Sequence, residues 1–126
     1  MLYAVLCYNS EEAVSAWSKE EEDKVMSDLA AVEKKYAAAG KLGPVARLMP
    51  TTAATTLRKA PSESFVIDGP FAETKEQFLG FFLVDVETLE EAIAFAKELA
   101  VANPGAGAYE IRPLRVFKPF GALEPL

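Results

Sequence analysis

Residues 68–86 read Asp68-Gly69-Pro70-Phe71-Ala72-Glu73-Thr74-Lys75-Glu76, then Gln77-Phe78-Leu79-Gly80-Phe81-Phe82-Leu83-Val84-Asp85-Val86. A constrained loop here runs into a strongly apolar strand. Asp68 can hydrogen-bond forward onto its own backbone, Gly69 can take dihedrals closed to other residues, and Pro70 fixes its own φ while pushing Gly69 out of the helical region. Thr74 and Gln77 have capping-box spacing, which predicts one helical turn over residues 75–79, ended by Gly80. Beyond it Phe81, Leu83 and Asp85 alternate against Phe82, Val84 and Val86. Both faces of that strand are mostly apolar, so both are expected to be dry. The loop reads as the rim of a pocket, or more plainly as an Asx turn whose Glu73, Lys75 and Glu76 are a solvated face.

Outward from this stretch, residues 2–8 form a second strand with apolar side chains on both alternating sets. Asn9 and Ser10 break it, and residues 11–17 predict a short helical turn carrying Trp17, a packing lid for the core or a roof for a cleft. Ser18 with Glu21 is a capping box, followed by Val25, Leu29, Val32 and Tyr36 at helical spacing, so residues 19–39 predict a long helix closed by Gly40. Residues 42–48 read as a strand interrupted by Gly43-Pro44, hence an edge or a bulge, because proline cannot donate to a ladder. Residues 55–58 and 64–67 are short strands. Thr88 and Glu91 cap a second helix whose stripe reads Leu89, Ala92, Ile93, Ala96, Leu99 and Ala100, stopped at Asn103-Pro104-Gly105. Residues 108–116 are the last strand, and residues 117–126 a tail.

Right-handed crossovers place both helices of this order on one face of the sheet. The other face then lacks a cover although its side chains are apolar, and a partner subunit packed sheet to sheet supplies one, or else the tail and residues 42–57 of a monomer fold over it.

Composition narrows the function. A chain of 126 residues, 51% hydrophobic and 25% charged, suits one domain over residues 1–126. Its net charge of −6 leaves no basic patch for phosphates, so neither nucleic acid nor an anionic membrane is an expected partner. The single Cys7 excludes a disulfide framework and reads as a buried thiol. The opening apolar run has no basic residue and is too short for a signal peptide or a membrane span, so a cytoplasmic protein is expected. There is no histidine, the commonest general base and metal ligand. Carboxylates in Glu11-Glu12 and in residues 20–23 point in different directions, so no metal site is expected. With no Gly-rich phosphate loop, nucleophile elbow or Cys pair, no cofactor is expected either.

The run DGPFAETKEQFLGFFLVDV, with Thr55-Thr56-Leu57-Arg58 upstream and Tyr109-Glu110-Ile111-Arg112-Pro113 downstream, resembles the DGPF branch of the YCII-related family, over residues 2 to about 116. The resemblance implies an α+β, ferredoxin-like βαββαβ fold with an antiparallel sheet, pairing as a dimeric α/β barrel with a cleft. Some relatives in the wider family are small lyase or dehalogenase-type enzymes, and DGPF members are often encoded beside alternative sigma factors. Active relatives carry a histidine on the first helix and an aspartate just after the second. The matching places here are near Leu29 and at Asn103, so neither group is present.

Asp68 is the candidate catalytic residue, a general base if burial in an apolar cleft raises its pKa. Arg58 and Arg112 can bind a carboxylate ligand or hold Asp68 or Glu110 ionised, or else form structural ion pairs. Tyr8 offers a phenolic donor, and Phe71 and Phe82 apolar walls. The expected function is a homodimer binding an unknown small molecule in a cleft between sheet, partner and the Asp68 loop. The alternatives are a cofactor-independent acid–base enzyme of lyase or isomerase type using Asp68, and a regulatory interaction module linked to a sigma factor.

Overall fold

The computed structural model describes residues 1–119. In chain order the elements are β1 (Leu2–Asn9), α1 (Glu11–Ser15), α2 (Lys19–Ala38), β2 (Leu42–Arg47), a 3-10 turn (Thr51–Ala53), β3 (Thr55–Arg58), β4 (Phe65–Asp68), β5 (Gln77–Asp85), α3 (Leu89–Ala102) and β6 (Ala108–Pro113). The main sheet has the order β2-β5-β1-β6 with every neighbouring pair antiparallel. This is the ferredoxin-like α+β arrangement: the parallel strands joined through each long helix, β1 to β2 and β5 to β6, are separated by one antiparallel strand.

The register sorts side chains by face. Tyr3, Val5, Phe82, Val84 and Ile111 share one face and pack with Leu29, Val32 and Tyr36 of α2 and Ala92, Phe95, Ala96 and Leu99 of α3. Both helices therefore cover this face. The opposite face carries Leu2, Ala4, Leu6, Phe81 and Leu83, of which Leu83 is buried and the others are half-buried.

The helix ends follow the sequence closely. Ser18 accepts from the Glu21 N–H while the Glu21 carboxylate accepts from the Ser18 N–H, a complete capping box. Thr88 accepts from the Glu91 N–H at the start of α3. Gly43-Pro44 falls where the β2–β5 register slips between Leu42 and Val45, the bulge its proline demands.

Two expectations are corrected. Residues 75–79 form no helical turn: β5 begins at Gln77, and Thr74 donates instead to the Glu76 carbonyl at 2.6 Å. The paired-strand requirement of β5 overrides a capping signal with too few residues to nucleate a helix. The buried stripe of α3 is Ala92, Phe95, Ala96, Leu99 and Ala102, whereas Leu89 is 46% exposed and Ala100 is exposed. Because α3 is apolar nearly all round, several stripes fit its sequence, and the sheet selects the one that inserts Phe95. The short strands β3 and β4 pair with each other, Thr55 opposite Asp68 and Leu57 opposite Val66, as a two-stranded hairpin separate from the main sheet. Strand β6 ends at Pro113, short of residue 116, and of the predicted tail residues 120–126 lie outside the described residues.

Among the described residues no helix is long and apolar enough to cross a membrane.

Candidate functional site

One row across the helix-covered face of the sheet runs Arg47, Gly80, Cys7, Tyr109 from β2 to β6. Its middle is occupied by two of the smallest side chains, while the next row, Val45, Phe82, Val5 and Ile111, is filled with bulk. Space is left above Gly80 and Cys7, and a cavity of about 200 Å³ opens there. Met26, Leu29 and Glu33 of α2 roof it, Val14 of α1 and Trp17 close one side, and Asn103, the residue capping the C-terminus of α3, meets Tyr109 at another. Gly80 is required for a second reason: at φ +157° its Cβ would stand 2.3 Å from the Ala46 carbonyl oxygen.

The lining is mainly apolar, with a polar group at the β1–β6 end. Asn103 Nδ2 donates to the Tyr109 hydroxyl at 3.4 Å, and Asn103 Oδ1 is buried without a hydrogen-bond partner among the described residues. Burial is the main cause that pushes the Tyr109 phenol up to about 12. Burial also pushes the Cys7 thiol up, against the smaller opposing pull of the Tyr109 hydroxyl and of Arg47. Both groups therefore carry their protons at neutral pH. On the β2 side, Arg47 Nη1 donates to the Met26 thioether at 3.3 Å. A second hollow of about 180 Å³ lies toward residues 105–108 and shares Cys7, Asn103 and Tyr109 with the first.

The wall formed by α1 is tied down. The Glu11 carboxylate accepts from the Thr51 N–H at 2.7 Å and from the Thr51 hydroxyl at 2.5 Å, and the Glu11 N–H donates to Gln77 Oε1 at 2.9 Å. Ser10 caps α1 by accepting from the Ala13 N–H.

Of the residues selected from sequence, Phe82 lines this cavity. Asp68 is exposed at the end of the hairpin, so a single chain gives it none of the burial a carboxylate base requires. Arg58 and Phe71 do come together, with the guanidinium 5.4 Å from the ring centroid and Nη2 donating to the Phe71 carbonyl at 3.5 Å, but both are exposed. Tyr8 faces the other side of the sheet, where its hydroxyl donates to Glu110 at 3.1 Å; burial first, and then Glu110, raises its pKa. Arg112 is exposed opposite Ala4 on that same face. Nothing in the local sequence marks Arg47 or Met26, and Cys7 reads there as a buried thiol. The Gly80–Cys7 gap depends on strand register, which local pattern does not reveal.

An antiparallel ferredoxin-like sheet with a cavity beneath its helices defines the class. The sequence profile of the YCII-related domain matches residues 1–118, and the chain belongs to that family. It is similar to an uncharacterized protein of Rhizobium meliloti (strain 1021), with 65% identity over 119 residues, covering 94% of this chain and 96% of the relative.

Proposed function

We propose that this chain is a homodimeric binding protein for a small apolar molecule, held between the sheet and the α1–α2 layer. The observation that carries the reading is the cavity of about 200 Å³, apolar over most of its lining and polar at one buried end, the make-up of a small-molecule site. Leu29, near the place where the family resemblance implies a histidine, and Asn103, where it implies an aspartate, both line it. With those groups replaced and with Cys7 and Tyr109 both raised in pKa, the buried end lacks, among the described residues, a group poised for proton transfer near neutrality, and the carboxylate that does line the cavity, Glu33, belongs to its α2 roof. Binding is thereby favoured over acid–base turnover. The half-buried Leu2, Ala4, Leu6 and Phe81 on the face opposite the helices favour a second copy as the cover, since contiguous apolar patches mark association surfaces.

The test is titration with toluene and with phenol, followed by calorimetry and by the emission of Trp17, the single tryptophan and a lining residue. Saturable binding is expected, weakened in a Cys7→Leu variant that fills the gap. Absence of saturable binding by either probe overturns the site. Light scattering should give about twice the 13.7 kDa chain mass, and a monomer at every concentration overturns the dimer.

A further inference from the structure

Away from the buried polar end, the cavity lining includes two charged side chains, Arg47 and Glu33, that form no ion pair among the described residues, with each other or with any other group. Arg47 is the last residue of β2, opposite Gly80, and is exposed to solvent while lining the cavity. Its Nη1 donates to the Met26 thioether at 3.3 Å. A thioether is neutral and a weak acceptor, so the guanidinium keeps its full charge and most of its five N–H donors. Burial raises the Cys7 thiol and Arg47 is among the groups that pull it down, so the cationic field extends over the cavity floor. Glu33 is half-buried and stands roughly two turns, about 10 Å of helix axis, beyond Met26 on α2.

From this arrangement we infer that the ligand is a compact monocarboxylate, its apolar body of single-ring size filling the space over Gly80 and Cys7 and its carboxylate accepting N–H donors from Arg47. The inference rests on the binding role proposed above and adds the ligand's charge and orientation. Size follows from volume: a dry apolar cavity of about 150 Å³ accommodates benzene, so about 200 Å³ here takes one substituted ring or an equally compact aliphatic body. Charge follows from Arg47. The planar guanidinium fork matches the two oxygens of one carboxylate, and such charge-assisted pairs are stronger than neutral hydrogen bonds. Exposure helps as well: a carboxylate held at the solvent-facing end keeps part of its hydration, so it avoids most of the desolvation that offsets a fully buried ion pair. Glu33 opposes the same carboxylate only weakly. Coulomb energy falls inversely with distance, so a like charge about 10 Å away cancels less than half of the attraction to a cation about 4 Å away.

The experiment compares benzoate, benzamide, benzylammonium and toluene by calorimetry on the full chain at neutral pH, benzamide being the neutral counterpart of benzoate at nearly the same shape. Benzoate is expected to bind about tenfold more tightly than benzamide, and added salt should shrink that advantage because the pair is partly exposed. Arg47→Met, which removes the charge and keeps an unbranched side chain, should abolish the preference while toluene binding is kept. Glu33→Gln should tighten benzoate by about two- to threefold and leave benzamide unchanged. Equal binding of benzoate and benzamide by the native chain overturns the carboxylate and leaves the binding role standing. Tightest binding of benzylammonium assigns the charge recognition to Glu33 and overturns it too. Binding of none of the four overturns both proposals. The ranking of the probes on the native chain decides the matter even where a variant fails to fold.

Discussion

The Tyr36 hydroxyl donates to one oxygen of Glu98 across the seam between α2 and α3, and Lys35 Nζ takes the other oxygen at 2.7 Å. The Tyr36 ring continues inward to meet Phe95 edge-on at 4.6 Å. A polar clasp at the helix surface is thereby continuous with the centre of the core. Its hydrogen bonds hold the Glu98 carboxyl below its ordinary value of 4.5, Lys35 contributing most and Tyr36 next. Burial, followed by the hydrogen bond to Glu98, pushes the Tyr36 phenol up to about 12.

These two shifts set opposite limbs of the stability profile. Glu98 has a folded pKa below the unfolded value of 4.5, so its contribution is present above that pH and is lost as pH falls through the folded value. Tyr36 has a folded pKa above the unfolded value of 10.0, so its contribution is complete below pH 10.0 and is lost as pH rises toward about 12. Urea midpoints measured against pH should therefore show a plateau from the acid window up to pH 9.0, where the raised Cys7 thiol opens the alkaline limb ahead of Tyr36. Glu98→Gln should flatten the acid limb, and Tyr36→Phe should shallow the alkaline limb without abolishing it, because Tyr109 is also raised to about 12. Profiles parallel to the native one for both variants would remove the clasp as their cause.

Phe95 is fully buried and also meets the Phe82 ring at 5.8 Å. Truncating it to Ala is expected to cost about 3–5 kcal/mol in urea unfolding. Leu89→Ala, at the exposed N-terminal turn of the same helix, is expected to change stability by only about 0.5 kcal/mol. The pair of variants tests the rotation of α3 directly, since the stripe through Leu89 that its sequence suggests reverses their order.

How far the sequence carries is visible in these same residues. The ends of α2 and α3 were legible because Ser18, Glu21, Thr88 and Glu91 act within one turn of chain. Likewise Gly43-Pro44 announced its bulge by what proline cannot donate. The rotation of α3 was not legible, because Leu89, Ile93, Phe95 and Val101 make more than one face apolar and only the sheet chooses among them. Nor was the cavity, which arises from Arg47, Gly80, Cys7 and Tyr109 falling into one row. These residues lie on strands far apart in the chain, and no local pattern relates them. Asp68 stands out in the sequence through its Asp-Gly-Pro run, whereas in the structure the run continues the hairpin's pairing: the Gly69 N–H donates to the Ala54 carbonyl at 2.9 Å, and the Thr56 hydroxyl to the Gly69 carbonyl at 2.8 Å, locking the open end of the hairpin.

Glycine is needed at position 80 for a different reason than at position 40. A Cβ on Gly80 would lie 2.3 Å from the Ala46 carbonyl oxygen and 3.0 Å from Arg47 Cα, both backbone, in addition to the strain of φ +157°. Gly40 has φ +72° but nothing within 4 Å. Gly40→Ala should cost about 1–2 kcal/mol, the left-handed penalty alone. Gly80→Ala should cost more and displace β2, with faster amide exchange along Leu42–Arg47 and altered probe binding in the cavity. Equal effects of the two substitutions would mean that β2 yields without loss.

Glu11 links the cavity wall to the base of the hairpin. Its carboxylate takes both the N–H and the hydroxyl of Thr51, which opens the 3-10 turn ahead of β3, while its own N–H is held by Gln77 at the start of β5. The helix so anchored has only five residues, too few to stand by itself, and it carries Val14 to the cavity just ahead of Trp17. Glu11→Ala breaks both contacts to Thr51 and should cost about 1.5–3 kcal/mol, as expected for hydrogen bonds to a charged group. Its signature should exceed that of a general loss of stability. Trp17, now half-buried, should become more accessible to a collisional quencher under conditions where the protein remains folded, and bound phenol should dissociate faster. Gln77→Ala, which releases the same helix from the β5 side, should reproduce the quenching. Were the Glu11→Ala variant to unfold earlier with Trp17 as protected as before, the tie would be one of stability alone and α1 would hold its place by packing.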